Sequence, residues 1–416
     1  MCVAFWTLNH PQYALILCSN RDEYLHRPTA PAHWHSFGPI NADDDGHGSV
    51  LSGRDLLAGG TWAGVTRSGT LALLTNITEP IRKYATSRGE LVSHFLLPKI
   101  PKQESLQAEI DAFLGAHRDC AYAGFNLLVL EPTIGPPSES EDQEVRGLSF
   151  DGAFLTNSGG GGMLTGRMLS DPERRTGGMS NGIDGRGADE WPKVQHGREA
   201  LRELLRGLPR DATEAQIADR LFALLTWTSE KPPADRSELR NTIHVLPVPV
   251  PLSGAHATTP AASPTPDSRR AGTGASGSAG AGGGAGVATD GGTPPLALGF
   301  DSTTTTTAYY GTRLSTVVLI RRDGNATFIE RDIWALEQQE EERQQQQQQQ
   351  REHRTSDATL PSASTSASDA DGGGDDVSSH PKPKSKPEPK LVDKRDSGGR
   401  DHDRVFRFQI PNPSAR

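Results

Sequence analysis

Residues 3–7 and 14–19 are apolar at odd and even positions alike. Successive strand side chains point to opposite faces, so this pattern predicts central strands with a packed layer on each side. Residues 61–66 and 71–76 are β-rich runs around Arg67-Ser68-Gly69-Thr70, a glycine-containing turn that predicts a hairpin. Residues 124–130 and 152–157 read as further strands. Leu91, Val92, Phe95 and Leu96 follow helical spacing within 90–97, as do Val194, Leu201, Leu204, Leu205 and Leu208 within 191–208. A third helix is predicted over 213–227, capped by Thr213 ahead of Ile217, Leu221 and Leu224. Residues 315–321 and 327–333, joined by a turn at Asp323-Gly324, predict a late hairpin. Antiparallel strands with helices packed outside them make an α+β layered sandwich.

Two stretches break the pattern. Residues 251–308 are dominated by Gly, Ala, Ser, Thr and Pro, with Phe300 their one aromatic. Residues 337–402 hold no aromatic residue, run through the glutamines of 344–350, and end in a lysine-proline alternation over 382–390. Neither carries enough apolar area to offset backbone ordering at roughly 1–2 kcal/mol per residue, so both are predicted to be disordered inserts. Apolar segments at 315–321 and 405–410 follow them, which makes them insertions within one domain. That domain has a first part over 1–250, a continuation over 309–336 and a closing strand over 403–416, about 290 residues in all, a plausible size for a single core.

Composition narrows the function classes. The 416 residues include 45 glycines and 30 prolines, and 34% are hydrophobic. Three cysteines with no CxxC pair exclude a disulfide-stapled scaffold and a cysteine-based zinc site, as in a reducing compartment. A net charge of -9 offers no electrostatic footprint for nucleic acid. Asn9, His10, Pro11 and Gln12 interrupt the uncharged start, so no secretory signal is expected. No run approaches the roughly 18 apolar residues of a membrane span, so membrane association is expected to be peripheral at most.

The suggestive chemistry lies at the start. Cys2 follows Met1, and methionine removal would make it residue one. A free α-amine titrates near 7.7–8.0, so it can act as the general base for the thiol of its own residue, the N-terminal-nucleophile arrangement. The plainer alternative is a small buried hydrophobe opening a strand. If residues 3–7 and 14–19 fold back about residues 10–13, paired positions sum to about 23, which sets Cys2 beside Arg21. A guanidinium there favours thiolate and can hold a carboxylate or carbonyl. Asn20-Arg21-Asp22-Glu23 is then a catalytic or binding cluster, or else a polar turn closed by its own ion pairs.

Other motifs carry less. Asn157-Ser158-Gly159-Gly160-Gly161-Gly162 leads to Gly166-Arg167 instead of Gly-Lys-Ser/Thr, so it fails as a phosphate-binding loop and reads as a flexible turn. His33 and His35 alternate about Trp34 as metal ligands on one strand face would, but without a third ligand they read as surface residues and no metal is inferred. The Cys-x-x-Cys-His signature of covalent haem attachment is absent, so haem would bind reversibly.

Several motifs together resemble one family. Met1-Cys2, Asn20-Arg21-Asp22-Glu23 followed by Arg27-Pro28, and Gly59-Gly60-Thr61-Trp62-Ala63-Gly64 running into Leu73-Leu74-Thr75-Asn76 are similar to the NRDE family, the transport and Golgi organisation proteins. Arg88-Gly89-Glu90-Leu91-Val92, Gly124-Phe125-Asn126-Leu127, Met179-Ser180-Asn181, Tyr310-Gly311-Thr312-Arg313 and Phe406-Arg407-Phe408 continue in the family's order.

The resemblance implies an N-terminal-nucleophile-hydrolase-like αββα sandwich. It also implies a role in Golgi organisation and protein secretion, with haem or a lipid-like molecule as a small-molecule cargo in some members and no required cofactor. The implied location is the cytoplasm, with Golgi and mitochondrial association and no secretion. Within the wider fold class, cysteine hydrolases of the bile-salt and penicillin amidase type use a first-residue Cys, an Arg on the second strand, asparagines for the oxyanion and a later Arg. By that match Cys2, Arg21 and Asn181 are the catalytic candidates, while Asn20, Asp22, Glu23, Asn76 and Arg313 are ligand-binding candidates. Those enzymes have an Asp three residues after the Arg; here that position is Tyr24, leaving Asp22 or Glu23 to take its part. The two inserts and residues 182–190 are additions to the family pattern.

Overall fold

The computed structural model describes residues 2–38, 47–80, 82–84, 86–98, 103–135, 147–233, 235, 237–251, 307–337, 390–395 and 403–413. Contacts divide the chain into one compact unit, Met1–Pro249 with Tyr309–Arg416, and a second, Val250–Ala308. Almost all of the second unit lies outside the described residues, as does most of the segment read above as the second insert.

Two antiparallel seven-stranded sheets build the first unit. One contains β1 (Val3–Thr7), β2 (Tyr13–Tyr24), β10 (Gly177–Met179), β12 (Thr307–Arg321), β13 (Asn325–Asp332) and β16 (Asp403–Gln409), in the order β10-β1-β2-β12-β13-β16, with β11 (Val248–Pro251) as its seventh strand. The other runs in sequence order through β3 (Thr29–His35), β4 (Val50–Asp55), β5 (Ala63–Thr66), β6 (Leu71–Asn76), β7 (Phe125–Ile134), β8 (Leu148–Thr156) and β9 (Thr165–Met168). Two small strands, β14 (Trp334–Leu336) and β15 (Leu391–Asp393), pair with each other.

The alternation of side chains divides the apolar residues into three cores. Ala4, Trp6, Leu15, Leu17, Val318 and Ile320 point from the first sheet onto Leu51, Leu73, Leu128 and Phe150 of the second. Their neighbours Val3, Phe5, Ile16, Cys18, Val317 and Leu319 point the other way, onto helices α4 (Pro192–Arg206) and α5 (Glu214–Leu225). Helices α1 (Gly89–Leu96) and α2 (Leu106–Ala116) cover the outer face of the second sheet through Val92, Phe95, Ile110 and Phe113. The result is a four-layer αββα sandwich, and it explains why β1 and β2 are apolar on both faces. The short helix α3 (Asp171–Arg175) leads into β10.

Boundaries follow local chemistry. Thr213 caps α5 in a reciprocal capping box with Gln216. Gly324, in the turn between β12 and β13, takes a φ of 88°, which favours glycine. Several elements are additional to those expected from sequence: β3, β4, β9, β10, β11, β14, β15, α2 and α3. Pro31 and a register shift between Ala30 and His33 obscure the pattern of β3. His35, read above as a surface residue, is fully buried, its Nε2 2.8 Å from Ser52 Oγ. β15 falls inside the segment read as the second insert, where Leu391 and Val392 pair with Leu336 and Ala335.

Candidate functional site

The register of the first hairpin sets the site. Val3 lies opposite Asn20 and Ala4 opposite Ser19, so the next step along the ladder brings Cys2 against Arg21. Strand β2 continues to Tyr24 because β12 pairs with it that far, whereas β1 reaches only Asn20, so its polar end enters the interior as strand and not as a turn. Asn20, Arg21 and Asp22 are all buried.

Alternation sends these side chains to different layers. Asn20 faces the helices: its Nδ2 donates to the carbonyls of Leu225 and Ile243 at 2.9 and 3.2 Å, and its Oδ1 accepts from Ser315 Oγ at 2.6 Å. Asp22 shares that face and accepts from Thr312 Oγ1 at 2.7 Å. Arg21 faces the opposite sheet, with its guanidinium 4.0 Å above the Trp62 ring and 3.4 Å from Thr29 Oγ1. Glu23, 3.9 Å from Arg21, is thus the carboxylate that accompanies it.

Cys2 is half-buried, and its Sγ donates to the Asp22 carbonyl across 3.8 Å. Burial pushes its thiol up and the Asp22 charge adds to this, while the pull of Arg21 in the other direction is weaker. The expectation that Arg21 favours thiolate is therefore outweighed by desolvation. Ser180 Oγ donates to the Cys2 carbonyl at 2.7 Å and to Asn181 Oδ1 at 3.2 Å, so Asn181 stands beside Cys2. Asn181 Nδ2 donates to the Asn76 carbonyl, and the Asn181 carbonyl accepts from the Thr78 amide at 2.9 Å. Asn126 Nδ2, which donates to the carbonyls of Ser180 and Gly182 at 3.0 and 2.7 Å, fixes this segment from β7.

Arg313 owes its position to a β-bulge. Thr312 pairs with Asp22 and Leu314 with Arg21, which leaves Arg313 as the extra residue. Its Nη1 donates to the Arg27 carbonyl. Arg27 pairs with Asp55 at 2.8 Å and lies 3.9 Å from Glu23. Arg88 donates to the Gly124 carbonyl at 3.1 Å. Burial lowers its pKa, while Glu79, Glu23 and Cys2 are close enough to act on it in the opposite sense. Glu79 is itself gripped by the amides of Gly124 and Gly160, each at 2.6 Å, on the wall of a cavity of about 400 Å³ lined also by Arg82 and residues 158–162. The glycine run read as a flexible turn thus encloses a carboxylate.

Three residues near the site escape sequence reasoning. Arg88 lies in a quoted motif, but its motif gives no role. Lys193, in the first turn of α4, is fully buried; burial pulls its ammonium down to about 8, against the charges of Asp22 and Cys2. His244 is buried too, with its Nε2 accepting from Trp334 Nε1 at 3.4 Å and its pKa lowered by burial to about 4. Nothing in the sequence pattern separates Lys193 or His244 from solvated neighbours. Among the described residues no group of three His, Cys, Asp or Glu side chains is placed to hold a metal ion, and no helix is long and apolar enough to cross a membrane.

The chain has an N-terminal-nucleophile-hydrolase-like fold, a four-layer αββα sandwich, with Cys2 at the mouth of its first central hairpin. The family model described as Transport and Golgi organisation 2 matches residues 1–335, and the chain belongs to that family. It is 28% identical over 346 residues to the Transport and Golgi organization protein 2 homolog of Bos taurus, covering 80% of this chain and 93% of that one. It is 35% identical over 140 residues to the Homo sapiens homolog, covering 32% and 45% of the two chains. With Transport and Golgi organization protein 2 of Drosophila melanogaster it shares 32% identity over 153 residues, 33% of this chain and 48% of the other. Among solved structures, the Caenorhabditis elegans N-acylethanolamine-hydrolyzing acid amidase (NAAA) ortholog is 11% identical with a TM-score of 0.33, covering 53% of this chain and 85% of that one.

Proposed function

We propose that this protein supports Golgi organisation and protein secretion from the cytoplasm by holding a small acidic ligand, haem or a lipid-like molecule, beside Cys2. The observation that carries the reading is the gathering of Arg21, Arg27, Arg88 and Arg313 about the end of β2. Guanidinium forks match carboxylates and phosphates, and part-buried ones act through a lower dielectric than water. The thiol, held protonated by burial, contributes shape and not charge.

Titration with haem, followed by absorption, and with a fatty acid, followed by fluorescence, tests the reading. Arg88→Ala should weaken binding by about tenfold to a hundredfold, as expected for loss of a charge-assisted contact. Cys2→Ser should bind as the parent does and restore secretion and Golgi morphology in cells lacking the protein. Equal affinity of folded Arg88→Ala and the parent chain would overturn the reading.

A second reading is favoured by the Ser180 hydroxyl, which ties Asn181 to the Cys2 carbonyl. With Met1 removed, the Cys2 sulfur attacks an amide carbonyl, the α-amine carries the thiol proton to the leaving nitrogen as the C–N bond breaks, and the second Nδ2 hydrogen of Asn181 meets the oxyanion; water, giving its proton back through the α-amine, then hydrolyses the Cys2 thioester to the acid and the free thiol. Release of amine and acid from an N-acyl amide, abolished by Cys2→Ser, together with an N-terminal mass lacking Met1, would establish this chemistry in place of simple binding.

A further inference from the structure

The turn between β4 and β5 carries its apolar side chains outward. Leu56 is 39% exposed and Leu57 69%, and Ala58 is exposed after them. Pro28, whose carbonyl accepts the Leu56 amide at 3.1 Å, is exposed beside them. Single exposed leucines are ordinary on a protein surface, but adjacent ones at the tip of a fixed loop call for a cause.

The loop is fixed by its own hydrogen bonds. The Asp55 amide donates to the Gly60 carbonyl at 2.9 Å and the Gly59 amide to the Asp55 carbonyl at 2.7 Å, with Gly59 at a φ of 77°. Asp55 Oδ1 accepts from the amides of Leu57 and Ala58 at 3.0 and 3.1 Å. Each amide from Asp55 to Gly59 is thus bonded within the loop or to Pro28. The carboxylate is neutralised in turn by Arg27, whose Nε and Nη2 both lie 2.8 Å from Asp55 Oδ2. A tip in this state gives up no amide hydrogen bond on leaving water, whereas a peptide seeking main-chain pairing would find no amide here to accept.

Positive charge prevails around the loop, where Arg27, Arg54 and Arg313 outnumber Asp55 and Glu23. Arg54 is buried beneath it, with Nη1 donating to the Gly38 carbonyl at 2.8 Å and Nη2 to the Gly59 carbonyl at 3.2 Å. Arg313 donates to the Arg27 carbonyl, and Glu23 stands 3.9 Å from Arg27.

We propose that the Asp55–Gly60 loop docks this protein on an anionic phospholipid bilayer, with Leu56 and Leu57 entering the headgroup boundary while the neighbouring guanidinium groups attract the lipid phosphates. Such attachment is peripheral, combining a small buried apolar area with attraction to anionic lipid. The loop carries this inference without reference to any ligand. Arg27 nevertheless joins it to the site: the residue that clamps Asp55 belongs to the arginine cluster at the end of β2.

The test is co-flotation of the full chain with phosphatidylcholine vesicles made with and without phosphatidylserine. The parent should float with the anionic vesicles, and less so as salt is raised. Leu56→Ser/Leu57→Ser should weaken partition by about tenfold to a hundredfold, as expected for two leucines that no longer leave water. Its melting temperature should stay that of the parent, since neither side chain belongs to a core. Met163→Ser, at a side chain 78% exposed beyond the glycine run, should bind as the parent does. Failure of the parent to float with anionic vesicles, or equal partition of the parent and the double leucine variant, overturns the proposal. Equal weakening by Met163→Ser also overturns it, since that is the mark of non-specific adsorption. If ultracentrifugation without lipid finds the parent dimeric and the double leucine variant monomeric, the loop is an interface between two copies and the bilayer is not its partner. Flotation uses no added ligand and the Arg88→Ala titration uses no vesicles, so either reading can fail alone.

Discussion

Ser315 Oγ donates to Asn20 Oδ1 across 2.6 Å, while the amide nitrogen of the same asparagine reaches two carbonyls beyond the sheet. One side chain thus ties β2 to β12, to the end of α5 and to residue 243. Asn20→Leu should therefore cost about 2–4 kcal/mol, because it leaves buried donors and acceptors without their partner. Urea unfolding measures this. Ligand affinity of the folded fraction should not change, and a loss below about 0.5 kcal/mol would refute the clasp.

Gly197 sits in the middle of α4, where alanine would ordinarily improve the helix by about 1 kcal/mol. Here a Cβ would fall 2.0 Å from Phe5 Cζ, deep in the core between α4 and the first sheet. Gly197→Ala should thus destabilise the fold by about 1–3 kcal/mol, the range for overpacking. A variant that melts above the parent would show that the helix can shift to make room.

His244 gives stability a definite dependence on acid. Its folded-state value of about 4 lies below the ordinary 6.5, so the unfolded chain binds the proton more readily. Its contribution is present above about pH 6.5 and is lost as pH falls toward 4, at most about 3 kcal/mol. Denaturant midpoints across that window should fall in the parent and fall less in His244→Gln, which keeps an acceptor for Trp334. Parallel curves for the two chains would assign the acid sensitivity elsewhere.

The cysteines should separate by burial. Cys18 is fully buried and its thiol is pushed far up by desolvation, so it should resist iodoacetamide until the chain unfolds. Cys2 is half-buried with a raised thiol, and its labelling should be slow near neutrality and rise only above the ordinary thiol range. Because both folded-state thiols are raised, the stability they confer is present below the ordinary thiol value and declines as pH climbs past it. Rapid labelling of native Cys18 would contradict the described packing of β2.

The first hairpin was legible because two short strands joined by a short turn leave little choice of register. The observed pairing of Val3 with Asn20 is the one the arithmetic gives. Doubly apolar strands likewise announced two covered faces. The end of β2 was less legible, since Asn20, Arg21, Asp22 and Glu23 read equally well as a turn until pairing by β12 is known. The bulge at Arg313 has no sequence signature. Lys193 illustrates the wider limit: a lysine beside Pro192 in an amphipathic helix reads as solvated, and only the tertiary packing of α4 against β1 and β10 makes it buried.

The sheet order has a consequence for how the chain is made. Strands β1 and β2 end by Tyr24, yet the partner that closes β2 on its other edge, β12, begins only at Thr307. On a ribosome moving at 5–20 residues per second, the first hairpin waits roughly 15–60 s for its neighbour, with one edge open. The second sheet, which lies wholly between Thr29 and Met168, is complete much earlier and can shelter the inward face. The apolar outer face of β1 and β2 remains uncovered until α4 and α5 emerge. Nascent-chain crosslinking should accordingly catch chaperones on residues 3–18 until late in synthesis.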